Sequence, residues 1–115
     1  MCTAVMNITE IRKRAEFANK TALVYDRGNY VEVIFNAHGT SVRETLVCMK
    51  NLINLIRCPF KLSVIHGYRH GQAIMKAIRT TFCSPRVCRM CTDFWNPGIT
   101  HFWVNGDAYI HSYAV

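Results

Sequence analysis

The stretch Tyr30-Val31-Glu32-Val33-Ile34-Phe35-Asn36-Ala37-His38-Gly39-Thr40-Ser41-Val42-Arg43-Glu44 reads as a strand handing over to a helix. Its first eight residues are mostly β-branched or aromatic. Alternation puts Val31, Val33, Phe35 and Ala37 on one face and Tyr30, Glu32, Ile34 and Asn36 on the other. His38-Gly39 ends the strand. Ser41 and Glu44 have the spacing of a capping box, in which each side chain satisfies a backbone N–H of the first helical turn. Apolar residues then recur at Val42, Leu46, Met49, Ile53 and Ile56, a stripe suited to packing on a sheet, until Pro59 halts the helix near Arg57.

Downstream the same pattern occurs once more. Residues 60–65 form a short strand, His66-Gly67 closes it, and residues 71–82 are helical, with Ile74, Ile78 and Phe82 on one face and Lys76 and Arg79 directed elsewhere. Ser84-Pro85 stops that helix, and residues 86–90 read as a third strand. Phe94-Trp95-Asn96-Pro97-Gly98 is a loop with an aromatic front. Asn105-Gly106, a strong hairpin signal, joins strands over residues 99–104 and 107–113. Upstream, residues 9–20 are helix-compatible, with Thr9 as cap and a thin stripe of Ile11, Ala15, Phe17 and Ala18. Asp26-Arg27-Gly28-Asn29 is a turn between strands at 21–25 and 30–37.

The whole chain holds 115 residues, 50% of them hydrophobic and 18% charged. A chain of this size buries roughly two-thirds of its unfolded surface, enough for one core and not for two. The composition excludes a disordered tail, and no segment offers the roughly 18 uninterrupted apolar residues of a membrane span. Charges at Glu10, Arg12, Lys13, Arg14 and Glu16 leave no apolar run of signal-peptide length, so the expected location is cytoplasmic. The six cysteines are then read as free thiols, mostly small buried hydrophobes.

Charge is unevenly placed. No acidic residue lies between Glu44 and Asp93, whereas Lys50, Arg57, Lys61, Arg69, Lys76, Arg79, Arg86 and Arg89 give that stretch +8, against +7 for the whole chain. A one-signed surface attracts polyanions by releasing their condensed counterions. A phosphate backbone is therefore the natural partner, with plain solubility as the bland alternative.

In a sheet where the strands of the two units run parallel, His38 and His66 meet at one rim under the positive ends of two helices. Backbone N–H groups there bind anionic oxygen, Gly39, Gly67 and Gly71 permit close backbone approach, and imidazole moves protons near neutral pH. His38, His66, His70 and Arg69 are the inventory for cutting a phosphodiester, and no acidic base is evident beside them. Tyr68 is a candidate stacking platform. Lys76 and Arg79 are either a phosphate track or a solvated helix face.

In order and spacing these residues resemble the Smr (small MutS-related) domain family. Phe35-Asn36-Ala37-His38-Gly39 is similar to that family's strand ending Leu-Asp-x-His-Gly. Val64-Ile65-His66-Gly67-Tyr68-Arg69-His70-Gly71-Gln72-Ala73-Ile74 is similar to its apolar strand, His-Gly-x-Gly motif and helix opening Gly-x-x-Leu-Arg. Ser84-Pro85-Arg86-Val87 looks like its His-Pro-Arg-Val lead into a third strand. The resemblance covers residues 30–113 and leaves 1–29 as an N-terminal helix and strand extension. It implies an α+β domain whose mixed four-stranded sheet and two main helices run in βαβαββ order, with a C-terminal β-hairpin. It also implies binding of DNA or RNA and, in several members, endonucleolytic nicking. Two departures stand out. Asn36 replaces the motif aspartate, removing a carboxylate able to bind metal or orient a histidine. Arg69 replaces a motif glycine, with glycine returning at Gly71.

Three functions are left standing. The first is an endonuclease with His38, His66 and the Asn36 position as its catalytic set and a divalent metal as its one candidate cofactor. The second is a non-catalytic DNA- or RNA-binding module using Gly39, Gly67, Tyr68, Arg69, His70, Gly71, Lys76, Arg79 and Arg86. The third is a zinc-stabilised protein-interaction domain, built on Cys83, Cys88 and Cys91 with Cys58 or His101; it shows one Cys-x-x-Cys pair where structural zinc sites usually show two. No membrane partner is expected.

Overall fold

In a computed structural model, which describes residues 6–69 and 72–106, the first helix, α1 (Ile8–Ala18), begins one residue before Thr9. Asn7 is its cap, its side-chain oxygen accepting the Glu10 N–H at 2.8 Å. Ile11 and Ala15 are buried as expected, but Phe17 is 84% exposed. At 100° per residue, Phe17 falls on the far side of the helix from that pair.

β1 (Leu23–Asp26) and β2 (Val31–Asn36) form an antiparallel hairpin. Its turn closes through Arg27 N–H to Tyr30 C=O at 2.9 Å, with Gly28 at φ +90°, where a side chain would be strained. α2 (Val42–Leu55) opens with the full capping box: Ser41 Oγ accepts the Glu44 N–H at 3.0 Å, and Glu44 Oε1 accepts the Ser41 N–H at 2.9 Å. Its buried line is Thr45, Cys48, Met49, Leu52 and Ile53, rotated from the expected stripe so that Val42 and Leu46 are only half-buried. Thr45 can face inward because its hydroxyl is paired with Ser41 C=O at 2.9 Å and Thr40 Oγ1 at 2.7 Å. β3 (Phe60–Ile65) follows Pro59, and α3 (Gln72–Thr80) ends two residues short of Phe82.

β4 (Val87–Thr92) and β5 (Ile99–Val104) complete a five-stranded mixed sheet in the order β1-β2-β3-β5-β4. Among the described residues β2 and β3 alone pair in parallel; β5 runs antiparallel between β3 and β4. This is the α+β architecture expected, with the strand of the N-terminal extension added to the sheet as a fifth member. Val33, Phe35, Leu62, Val64, Phe102 and Val104 of the sheet share one core with Ile11, Ala15, Met49, Leu52, Ile53, Ile74 and Ile78 of the helices. Residues before 30 therefore pack into the same core as the rest. The strand expected over 107–113, His70 and Gly71 lie outside the described residues. Among the described residues, no helix is long and apolar enough to cross a membrane.

Candidate nucleic-acid interface

Parallel pairing sets Asn36 opposite Ile65, and the Ala37 N–H donates to Ile65 C=O at 2.8 Å. The two strand ends, and the His-Gly pairs that follow them, thus lie side by side at one rim. After β2 the chain reverses through a turn closed by Thr40 N–H to Ala37 C=O at 3.0 Å, with Gly39 at φ +86°. Asn36 Oδ1 accepts the His38 N–H at 2.9 Å, so this side-chain amide is turned onto the backbone. His38 itself is exposed.

His66 faces the other way. It is 1% exposed, and both ring nitrogens are occupied: Nδ1–H donates to Gly67 C=O at 2.6 Å, and Nε2 accepts from Thr100 Oγ1 at 2.9 Å. Thr100 Oγ1 in turn accepts from Arg79 Nε and Nη2 at 3.1 and 3.0 Å. Every proton in this chain has an acceptor with the imidazole neutral. Burial is the main cause that pushes the ring below its ordinary range; the Arg79 charge adds to it, and the Gly67 carbonyl opposes it. The rim therefore presents one imidazole to solvent and keeps the other inside.

Gly67, at φ +81°, is held against a second loop. Its N–H and that of His66 both donate to Gly98 C=O, at 3.0 and 2.9 Å. A Cβ on Gly98 would sit 3.0 Å from backbone atoms of Gly67. The loop after β3 and the loop before β5 are thus pinched together backbone to backbone, and Tyr68 (54% exposed) and Arg69 project beside the pinch.

The remaining basic candidates divide. Lys76 is exposed on α3. Arg79 is turned inward onto Thr100. Arg86, expected at the nucleic-acid surface, is 4% exposed. Its guanidinium donates to the carbonyls of Ile53, Ile56, Cys58 and Asn105, closing the C-terminal end of α2 where unmet carbonyls and the helix dipole attract a cation.

Two features were not foreseen from the sequence. The loop between β4 and β5 is an ordered platform. Asp93 Oδ2 accepts the N–H groups of Trp95 and Asn96 at 3.1 and 3.0 Å, Asn96 Oδ1 accepts Gly98 N–H at 2.8 Å, and Asp93 N–H donates to Ile99 C=O at 3.0 Å. On it Phe94 and Trp95 are each 85% exposed, their rings edge to face at 4.6 Å. The second feature is a buried polar line across three strands. Arg27 pairs with Glu32, Ser63 Oγ donates to Glu32 at 2.5 Å and meets His101 Nδ1 at 2.7 Å, and His101 Nε2 meets Asp93 Oδ1 at 2.7 Å.

Burial alone would raise the Glu32 carboxyl, but hydrogen bonds from Ser63 and Arg27, with the charges of Lys61 and Arg27, bring it below its ordinary value. The hydrogen bond from His101, followed by those from the Asn96 and Trp95 N–H groups, lowers Asp93 likewise. Ser63, His101 and Asp93 have the composition of a nucleophilic triad. Ser63 is, however, 2% exposed and its proton is given to Glu32, so the line anchors Asp93 and offers no attacking oxygen. The signal for it in the sequence is Glu32 between Val31 and Val33 and Ser63 between Leu62 and Val64, single polar residues flanked by apolar ones.

The zinc reading lacks its ligand cluster: among the described residues no three His, Cys, Asp or Glu side chains are placed to hold a metal ion. Cys88 donates to Trp103 C=O instead, and Cys58 is buried. An apolar hollow lined by Met6, Tyr30, Cys58 and Trp103 lies at the opposite end of the sheet from the rim. Comparison of the chain with protein-family models, with curated proteins and with solved structures finds no match.

Proposed function

We propose that this protein is a nucleic-acid-binding domain that grips the phosphate backbone at the rim where β2 and β3 end, and that it does so without cutting. The observation that carries the reading is the chemistry left facing solvent there. His38, Tyr68 and Arg69 are exposed, Lys76 stands exposed on the helix that follows, and no carboxylate occurs between Glu44 and Asp93. A polyanion meets exposed cations and an aromatic ring on the loop that follows β3 and the helix after it. The resemblance to the Smr domain supports the same partner.

Cleavage has less support. A two-histidine phosphodiesterase needs both rings within reach of the scissile phosphate, and His66 is sealed in the core with both nitrogens spent. The test is a salt titration of binding to labelled DNA and RNA. For duplex DNA, log affinity against log salt falls with a slope near −0.9 per phosphate neutralised, and Arg69→Ala and Lys76→Ala each remove about one unit from it. A slope indifferent to both variants overturns the site. Nicking of plasmid or structured RNA by the wild type that disappears in His66→Ala overturns the claim that it does not cut.

A further inference from the structure

The geometry points to Phe94 and Trp95 as the stacking site for an unpaired base of single-stranded nucleic acid lying along the rim. This rests on the nucleic-acid reading above and narrows it to a class of strand. Three observations carry it. The first is presentation. Two large aromatic rings left 85% exposed are costly in water unless they are covered in use. An edge-to-face pair spends the edge of one ring and one face of the other, so flat ring surface remains open on both.

The second is rigidity. Asp93 ties the N–H groups of Trp95 and Asn96, Asn96 ties Gly98, and His101 holds Asp93 from the sheet. The rings therefore stand on a preorganised base, and little ordering is left to be done on binding. The third is position. The backbone contact of Gly98 with Gly67 joins this loop to the one carrying Tyr68 and Arg69. Flat apolar surface and phosphate-binding charge thus occupy neighbouring loops, which matches the alternation of base and phosphate along one strand. Duplex base faces are stacked inside the helix and cannot reach such rings.

The experiment measures binding of the full chain to a fluorescein-labelled 12-nucleotide single strand and to the matching duplex. Wild type, the double variant Phe94→Ala/Trp95→Ala, the single variant Trp95→Phe and Arg69→Ala are compared, with circular dichroism as the control for folding. The double variant is expected to bind the single strand about 10-fold or more weakly, with its salt slope and its duplex affinity unchanged. Trp95→Phe keeps most of the affinity because a ring is retained. Arg69→Ala lowers the salt slope on both ligands.

If the wild type binds neither ligand, the nucleic-acid reading falls and this site falls with it. Salt-dependent binding that ignores the double variant overturns the stacking site alone. A double variant that keeps its single-strand affinity but loses self-association or adsorption to phosphatidylcholine vesicles assigns the rings to another occupant and overturns it too.

Discussion

Replacing Arg86 with methionine separates a structural cation from a binding one. Methionine keeps much of the stem and removes every donor. The carbonyls of Ile53, Ile56, Cys58 and Asn105 then lose the guanidinium that meets them in the interior. Each charge-assisted hydrogen bond contributes on the order of 1.5–3 kcal/mol. The favourable contact with the α2 dipole adds about 1 kcal/mol, while relief from burying a cation offsets several kcal/mol. A net loss of about 3–5 kcal/mol is expected, since several buried carbonyls are left unmet at about 1–3 kcal/mol each and the relief of the buried charge offsets part of that sum. For 115 residues the unfolding entropy is roughly 0.24 kcal/mol per degree, so the melting temperature should fall by about 12–20 °C. Thermal melts followed at 222 nm give the value directly. Arg69→Ala, on an exposed loop, should shift the same melt by less than about 2 °C. If Arg86→Met melts within 3 °C of wild type while its salt slope for DNA drops, Arg86 is a surface contact and this account of the α2 terminus is wrong.

Three more outcomes follow from single contacts. Burial holds native His66 below its ordinary value near 6.5, so on acidification the unfolded chain takes up a proton that the native state refuses. Its contribution is full above the unfolded value and is lost as pH falls from there through the native one. The gap in urea midpoint between wild type and His66→Asn should therefore narrow from pH 8 to pH 5, and a constant gap refutes the assignment. Gly98→Ala places a Cβ 3.0 Å from two backbone atoms of Gly67. A loss of about 1–3 kcal/mol in chemical denaturation is expected, the range for overpacking against atoms that cannot swing away. Asp93→Ala removes the acceptor of the Trp95 and Asn96 N–H groups, so amide exchange at those two residues should speed up while β3 amides stay protected. Equal protection in both proteins would mean that the loop holds itself.

Much of this fold is written in short-range signals. The capping box at Ser41 and Glu44, the β3 boundaries and the turn at Gly28 depend on residues within a few positions of one another, and the structure has each of them. What escaped the sequence depends on distant partners. Nothing near Arg86 says that carbonyls from residues 53, 56, 58 and 105 converge on it, so local sequence does not distinguish it from a surface cation. Insertion of β5 between β3 and β4 is a choice of pairing that no local pattern encodes, and it is what brings His101 beside Ser63. At the site, the rim and its exposed His38, Tyr68 and Arg69 were legible. The ordering of Phe94 and Trp95 was not, because it requires Asp93 to be fixed from across the sheet by His101.

The fate of the second histidine was nevertheless within reach, through strand parity. In β3 the core-facing side chains are Phe60, Leu62 and Val64, and a period of two carries His66 to the same face. In β2 they are Val33 and Phe35, with Ala37 just beyond, and the same period puts His38 on the opposite face. Because Asn36 stands beside Ile65, the neighbour of His66 is Ala37, and His38 falls beside Gly67. Two His-Gly pairs that look equivalent in sequence are one position out of step in the sheet. That offset turns one imidazole into a strut between Gly67, Thr100 and Arg79, and it leaves His38 facing solvent while His66 does not. The proposed grip without cleavage thus follows from parity as much as from Asn36. Asn36→Asp, which keeps an oxygen for the His38 N–H and places a carboxylate beside it, should leave plasmid nicking absent, whereas nicking gained from that one change would show that cleavage does not need the buried His66.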